Sequence, residues 1–315
     1  MNKILNVTSL GIRAYFVMYI PLGGTPIMQK KARIAESQSN GIFTIRGINS
    51  VEKYLKAVDQ ISERVCPPNE PKSCELWFRG VKSTTFHLQP SIARGLGAQA
   101  EVVYLSKFRS LAYPYLDRVP YFPYAEDENS YWGWLFLMQH YGVPTRLLDW
   151  SREALVALLF ALGVPVSPEE RDNDKVVWLL DPVTLNKSFS FYNFLKPGYI
   201  PNVTEPAFTA RFGPNAKNDN VKAAAAIGPL NNPRIIKQAG TFTVFPKTPK
   251  IVGLDQLPDS ANYLYKIVID KNFREDMSNQ LFHYGLTEND LFPGIESVAV
   301  DIKNEIDAEG LSDPK

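Results

Sequence analysis

The clearest pattern of apolar positions in the chain begins after Ser50. Apolar side chains recur there at the spacing of one face of a helix: Val51, Tyr54, Leu55, Val58, Ile61 and Val65. Ser50 suits the start of this helix, because its hydroxyl can accept a backbone N–H of the first turn. Pro67 and Pro68 end the pattern, since proline cannot continue a helix. The sequence therefore predicts a helix from residue 51 to about residue 65.

Four short stretches have the composition of strands. They are rich in aromatic and β-branched residues, and they span residues 75–80, 175–180, 240–245 and 263–270. In the first stretch, Trp77-Phe78 is followed directly by Arg79-Gly80. A charged side chain is therefore predicted at the end of a buried strand.

Three further helices are predicted, at residues 98–112, at residues 131–138 and after Ser151. Gly142 and Pro144 are stop signals for the second of them. Residues 139–151 are therefore predicted to be a polar turn between two helices. The stretch 188–233 is rich in proline, asparagine and glycine, and it predicts a long loop with one helical turn at 223–226.

Strands and helices alternate without a linker or an internal repeat. We therefore expect a single α+β domain with a mixed, mostly antiparallel sheet flanked by helices. The predicted divisions are an N-terminal extension at 1–49, with Met28 as an alternative start, a domain at 50–305 and an acidic tail at 306–315. The apolar run 14–22 is too short to span a bilayer, and a signal peptide is the weaker alternative because Arg13 interrupts the segment.

Charge and cysteine content exclude several classes of function. The chain has 34 basic and 33 acidic residues, so no overall field attracts nucleic acid or an anionic membrane. With two cysteines and three histidines, no metal site is expected. Reduced thiols at Cys66 and Cys74 in a cytoplasmic protein are the simpler interpretation, and a disulfide stays open. The oligomeric state is not indicated.

The polar turn at 139–151 contains the first candidate site residues. Charged groups this close to apolar segments must be paired or must bind something. His140 is a candidate general base, or it caps the carbonyls at the end of the helix. The candidate ligand-binding residues of this turn are Gln139, Tyr141, Thr145, Arg146 and Asp149. For Asp149 and Ser151 a capping role at the next helix is favoured.

Two more candidate regions lie elsewhere in the chain. Arg79 can offer its guanidinium to a phosphate or carboxylate, with an internal salt bridge to Asp149 as the alternative. A strand start after the long loop is a place where a ligand can approach the backbone, with a plain strand start as the alternative. The ligand-binding candidates in these regions are Gly80, Arg234, Gln238, Gly240 and Thr241.

Several of these motifs together resemble the FRG domain of bacteria and their phages, a family named for its Phe-Arg-Gly tripeptide. The matching motifs include Trp77-Phe78-Arg79-Gly80, Leu88-Gln89-Pro90-Ser91 and Gln139-His140-Tyr141-Gly142 with Pro144-Thr145-Arg146-Leu147-Leu148-Asp149-Trp150. The likeness extends over about residues 51–302. It implies a type of domain more than an activity.

The order of the motifs also resembles the layout of ADP-ribosyltransferases. An early arginine, a later Gly-Thr strand start and a late glutamate would be Arg79, Gly240-Thr241 and Glu296. That analogy implies catalytic roles for Arg79 and Glu296, with NAD as a possible substrate, and His140 is the candidate general base beside them. A role in phage defence or toxicity is suggested only by where FRG domains are usually found. The alternatives are a module that senses a nucleotide-like ligand without turnover, and a structural or interaction domain whose polar turn is an internal ion-pair network.

Overall fold

The structure is a computed structural model that describes residues 35–39, 41–66, 75–95, 97, 100–118, 128–187, 199–216, 222–229, 233–292 and 302. The described residues belong to one compact unit, Ile34–Lys315. At its centre is one sheet of eight strands. These are β1 Ala35–Ser39, β2 Ile42–Ile48, β3 Trp77–Val81, β4 Leu147–Ser151, β5 Lys175–Leu180, β6 Ala224–Ala226, β7 Gly240–Val244 and β8 Leu264–Ile269.

The strands lie in the order β1-β2-β8-β5-β3-β4-β7-β6. β2 and β8 run parallel, and the other neighbouring pairs are antiparallel. The fold is therefore α+β with a mixed, mostly antiparallel sheet, as the sequence predicts. All six residues of β5 are buried, because helices and loops cover both faces of the sheet at its centre.

Ten α-helices are described around the sheet. They are α1 Val51–Val65, α2 Ala100–Ala112, α3 Glu128–His140, α4 Ala154–Leu162, α5 Pro168–Asp172, α6 Pro182–Lys187, α7 Pro206–Phe212, α8 Pro233–Lys237, α9 Arg274–His283 and α10 Glu288–Leu291. Short 3-10 helices occur at Ser91–Ala93, Tyr113–Arg118, Leu254–Gln256, Ser260–Asn262 and Lys271–Phe273. The predicted start of α1 is confirmed, since the Ser50 hydroxyl accepts the N–H of Lys53 at 3.2 Å.

Two groups of helices cover neighbouring parts of the same face of the sheet. α1, α4 and α9 pack on β2, β3, β5 and β8 in a core that includes Phe78. α2, α3 and α7 pack on β4, β6 and β7 in a second core that includes Leu147. Phe78 pairs with Ser151, and Leu147 lies four residues before Ser151 in β4. Because side chains alternate along a strand, Phe78 and Leu147 point to the same face.

The opposite face of the sheet carries a third apolar cluster, which contains Trp77, Trp150 and Trp178. Leu185 of α6 and Leu254 cover part of it. The Trp178 indole Nε1 is buried without a hydrogen-bond partner among the described residues. This face supports the sheet and is not where the candidate site residues gather.

The structure differs from the predicted elements in four places. β1 and β2 lie in the stretch assigned to an N-terminal extension, and β2 pairs with β8 in the sheet, so the folded unit begins before residue 50. The prediction of a turn between two helices at 139–151 is wrong, because its second half is β4. The predicted helical turn at 223–226 is wrong, because β6 occupies 224–226. The predicted long loop also contains α7.

No helix in the described ranges is long and apolar enough to cross a membrane. The same residues contain no group of three or more His, Cys, Asp or Glu that could hold a metal ion. Cys66 is disulfide-bonded, which corrects the preference for reduced thiols. Cys74, Met28 and the tail at 306–315 lie outside the described residues.

Candidate ligand-binding cavity

The ladder between β3 and β4 is very short, and a cavity of about 200 Å³ lies beside it. Only Phe78 and Ser151 are in register across these two strands. Residues from both strands line the cavity, together with residues of α3, α4 and α8. It therefore lies between the two groups of helices, where the two halves of the sheet are held together least.

Two residues of the Phe-Arg-Gly tripeptide of β3 have packing roles, and the third connects β3 to β4 beside the cavity. Phe78 is buried in the core under α1 and α4. A Cβ on Gly80 would lie 1.9 Å from the Ala157 carbonyl oxygen and 2.6 Å from the Ala161 nitrogen. Glycine is required there because the α4 backbone packs directly against β3. Between them, Arg79 is also a lining residue of the cavity, and its guanidinium reaches the backbone of β4.

The guanidinium of Arg79 spans the gap from β3 to β4. Its Nη1 donates to the backbone carbonyl of Asp149 at 2.5 Å. Burial lowers the pKa of Arg79, the Asp149 carboxylate opposes this change, and the neighbouring Arg94 adds to it. Since an arginine stays protonated at any physiological pH, Arg79 is a partly buried positive charge.

Asp149 is held in place by a chain of hydrogen bonds. Gln139 Nε2 donates to Asp149 Oδ2 at 2.8 Å, and the Thr145 hydroxyl donates to Gln139 Oε1 at 2.5 Å. Thr145 is fully buried, and its backbone N–H donates to the Ser91 hydroxyl at 3.3 Å. A buried threonine thus fixes the orientation of an exposed carboxylate. The predicted capping role of Asp149 is wrong, because Asp149 lies inside β4.

α8 supplies a second positive charge to the cavity. The guanidinium carbon of Arg234 lies 4.3 Å from the centre of the Phe292 ring. Burial lowers the pKa of Arg234, and Asp149 opposes this change. Burial also lowers the pKa of His140 below its usual 6.5, and Arg234 adds to this effect. His140 is therefore mainly neutral at pH 7.

The turn after α8 ties the cavity to neighbouring elements. Gln238 lines the cavity, and its Nε2 donates to the Leu291 carbonyl of α10 at 2.9 Å. The Ser151 hydroxyl donates to the Gln238 carbonyl at 2.7 Å. Ala239 has a φ of +45°, in the left-handed region that non-glycine residues rarely adopt. This strained turn places Gln238 next to the end of β4.

The remaining walls of the cavity are mostly apolar. They come from both helix groups and from the sheet: Phe78, Phe136, Trp150, Phe160, Ile235 and Phe242. Phe136 and Phe242 meet edge to face, with their ring centres 4.4 Å apart. The cavity thus combines aromatic walls with two arginines and one carboxylate, and such a mixture suits a flat ligand that carries negative charge.

A match to a known family covers both the Phe-Arg-Gly tripeptide and the polar stretch at 139–151. Residues 74–170 match the FRG domain family. The chain carries an FRG domain. The matched range contains Arg79, Gln139, His140 and Asp149, whereas Arg234 and Gln238 lie beyond it. No match to this chain was found among curated proteins or solved structures. The extension of the resemblance from residue 170 to residue 302 stays a prediction.

Seven candidate residues of the FRG domain and its C-terminal neighbourhood meet at the cavity. They are Arg79, Gly80, Gln139, His140, Asp149, Arg234 and Gln238. They come from positions far apart in the chain, and the fold brings them to the same short ladder. Their function as ligand-binding or catalytic residues stays a prediction.

Arg146 is placed elsewhere, in an internal ion pair. Its side chain is fully buried, and its Nε lies 2.9 Å from Glu101 Oε1. It also donates to the Tyr131 hydroxyl at 3.0 Å, to the Phe245 carbonyl at 2.8 Å and to the Phe212 carbonyl. Burial acts to lower the pKa of Arg146, but Tyr131 and Glu101 raise it overall. The interpretation of Arg146 as an anion-binding residue is therefore corrected to a structural role.

Four other candidates do not line the cavity. Tyr141 is 62% exposed, and Gly240 packs against Ile235. Thr241 is buried, and its hydroxyl has no hydrogen-bond partner among the described residues. Thr145 acts through Gln139. The last candidate, Glu296, lies outside the described residues.

Sequence reasoning missed the aromatic walls and Arg94. Phe136 and Phe160 belong to helices that are apolar on most sides, so the pattern does not show which side faces a cavity. Arg94 follows the 3-10 helix at Ser91–Ala93 and is exposed, yet it is close enough to Arg79 to influence its pKa. The signal for Arg94 was its position just after the Leu88-Gln89-Pro90-Ser91 motif.

Proposed function

We propose that the cavity of this FRG domain binds a phosphorylated, nucleotide-like ligand. The observation that carries the proposal is the convergence of Arg79 and Arg234 on one cavity with aromatic walls. Two arginines with a single neighbouring carboxylate leave a local excess of positive charge. An anion that replaces water there gains charge-assisted hydrogen bonds in a partly buried site.

The donor groups of Arg79 support a phosphate on this side of the cavity. A guanidinium has five N–H donors in a rigid fork. Within the described part of the chain, Arg79 uses one of them, toward the Asp149 carbonyl. The others are available to oxygen atoms of a ligand, and phosphate oxygens match the fork geometry.

The size of the cavity restricts the ligand. Sites for drug-sized molecules usually measure roughly 300–1,000 Å³, and this cavity measures about 200 Å³. It suits a mononucleotide, or one half of a dinucleotide such as NAD with the other half outside. The aromatic walls would contact the flat base or nicotinamide ring.

The binding proposal is tested by calorimetric titration of the wild-type chain with AMP, UMP, NAD, adenosine and inorganic phosphate. We expect at least one phosphorylated compound to bind more tightly than adenosine. Arg79→Met should weaken that binding by about tenfold or more, because a hydrogen bond to a charged group contributes roughly 1.5–3 kcal/mol. Arg171→Met is the matched control, since the Arg171 side chain is 68% exposed and pairs with Asp172 on the surface. Equal affinities in the two variants would contradict the proposal.

The catalytic version of this proposal is an ADP-ribosyltransferase-like enzyme that uses NAD, acting in phage defence or toxicity. It is supported by a neutral His140 at the cavity and by the order of motifs in the sequence. Release of nicotinamide from NAD by the wild type, and its loss in both Arg79→Met and Glu296→Gln, is the expected result. Binding of NAD without release of nicotinamide would favour the alternative, a module that senses the ligand without turnover.

A further inference from the structure

Asp149 is the one ionised acceptor among the described side chains that line the cavity. Its carboxylate lies in a site whose other charged groups, Arg79 and Arg234, can only donate hydrogen bonds. A carboxylate repels a phosphate but accepts hydrogen bonds from hydroxyl groups. Its presence therefore points to a second ligand group with different chemistry from the phosphate.

The geometry leaves part of this carboxylate available. Oδ2 accepts from Gln139 at 2.8 Å, and Oδ1 has no hydrogen-bond partner among the described residues. The side chain of Asp149 is exposed toward the cavity. Because Gln139 is itself fixed by the buried Thr145, the carboxylate is held in one orientation before any ligand arrives.

The backbone and side chain of Asp149 also set a distance between two ligand groups. The carbonyl that accepts from Arg79 and the carboxylate that accepts from Gln139 belong to the same residue, Asp149. A phosphate on Arg79 and a hydroxyl on Asp149 must therefore be close to each other within the ligand. The sugar of a nucleotide has this arrangement, since its hydroxyl groups are a few bonds from the phosphate.

We propose that Asp149 selects ribonucleotides by accepting a hydrogen bond from a hydroxyl group of the ribose. The inference rests on the proposed function, because it assumes a phosphorylated ligand in the cavity. It predicts that the FRG domain discriminates against deoxyribonucleotides. Loss of one hydroxyl should weaken binding about tenfold, as a carboxylate then faces the ligand without its donor.

The experiment compares AMP, 2′-deoxy-AMP and 3′-deoxy-AMP, and the same three forms of UMP, by calorimetric titration. Inorganic phosphate is titrated as a probe without a sugar. We expect the wild type to bind at least one deoxy form about tenfold more weakly than the parent ribonucleotide.

Asp149→Asn gives the decisive variant. Its Oδ1 can still accept from Gln139, so the local structure is retained, but the negative charge is gone. We expect two changes of opposite sign: the discrimination between ribo and deoxy forms falls to about twofold or less, while inorganic phosphate binds several-fold more tightly because the repulsion is removed. Asp172→Asn, on the surface, is the control and should leave both affinities unchanged.

The outcomes separate the two proposals. Absence of binding for every probe overturns the proposed function and this inference with it. Equal binding of ribo and deoxy forms by the wild type overturns the inference alone. Loss of phosphate binding in Asp149→Asn also overturns it, because Asp149 would then only position Arg79.

Discussion

Arg79 and Arg146 are two arginines of the same FRG domain with opposite surroundings. Arg146 is fully buried and donates to a carboxylate, a hydroxyl and two carbonyl groups. Arg79 lies beside a cavity and, in the described residues, donates to one carbonyl. The first guanidinium has its hydrogen bonds supplied by the protein, and the second has donors left over for a ligand.

The comparison shows that the number of protein acceptors separates a structural arginine from a candidate ligand-binding one. Burial alone does not, because desolvation acts to lower the pKa of both side chains. In Arg146 the carboxylate of Glu101 and the hydroxyl of Tyr131 compensate for that cost. Around Arg79 the protein compensates less of the cost of removing the guanidinium from water, and a bound anion would compensate the rest.

The largest expected effect is loss of stability in Arg146→Met. Removing the guanidinium leaves the Glu101 carboxylate buried without its partner, which costs about 3–5 kcal/mol. We expect the free energy of unfolding in urea to fall by this amount. Arg79→Met should lower it by less, about 1.5–3 kcal/mol at most, since only one hydrogen bond of a charged group is lost.

The double variant Glu101→Met with Arg146→Met controls for loss of the side chain itself. It removes both charges, so it should be more stable than Arg146→Met alone. A double variant as unstable as the single one would mean that the unpaired charge is not the cause. Equal destabilisation by Arg79→Met and Arg146→Met would remove the contrast between the two regions.

A somewhat smaller loss is expected from Gly80→Ala, next to Arg79. The added Cβ would collide with the Ala157 carbonyl, so α4 must move away from β3. We expect the free energy of unfolding to fall by about 3 kcal/mol. Gly142→Ala is the control: no atom lies within 4 Å of its Cβ position, and its φ of +74° costs about 1–2 kcal/mol for alanine. Urea unfolding of both variants measures the two losses of unfolding free energy. A smaller loss for Gly80→Ala than for Gly142→Ala would contradict close packing of α4 on β3.

The smallest effect concerns pH and His140. Its pKa in the folded protein is lowered below 6.5, so it gains a proton only as the pH falls below that value. The extra positive charge should then strengthen binding of sulfate, whose own charge is constant in this range. We expect a gain of about fivefold once the pH has fallen below this lowered pKa, from an interaction of roughly 1 kcal/mol.

Stability should respond to the same proton with the opposite sign. Between 6.5 and the lower pKa of the folded state, the unfolded chain binds more protons at His140, so stability falls as the pH falls through this window. His140→Gln should flatten both the sulfate profile and this part of the stability profile. Identical profiles in the wild type and in His140→Gln would mean that His140 does not act at the cavity.

Much of the candidate site could be predicted because its polar residues stand out from apolar surroundings. Arg79 ends a buried strand, and His140 ends a buried helix. The partner of Arg146 could not be predicted in this way. Glu101 lies in the first turn of α2, where an acidic residue is ordinary. Its burial depends on how α2 packs against the segment just before β4, which contains Arg146, and a single sequence does not contain that information.

The errors in the fold have physical causes of the same kind. Alanine favours helix, yet 224–226 form β6, which pairs with β7, and Asn186 bonds both backbone groups of Ala225 at 2.9 Å and 2.8 Å. β4 was missed because its strand pattern of five residues stands directly between two helix patterns. In both places, contacts between residues far apart in the sequence outweigh the intrinsic secondary-structure preference of the segment.

Because β3 and β4 share a single registered pair, the junction between these two strands is a weak seam in the sheet. On each side of the seam the neighbouring ladders, β3–β5 and β4–β7, hold five registered pairs. Local opening should therefore divide the sheet there before either half unravels. Arg79 belongs to one half, and Asp149 belongs to the other. A ligand bound to both residues would hold the two halves of the sheet together. Amide exchange in β4 and β7 should then be slower with the ligand than without it.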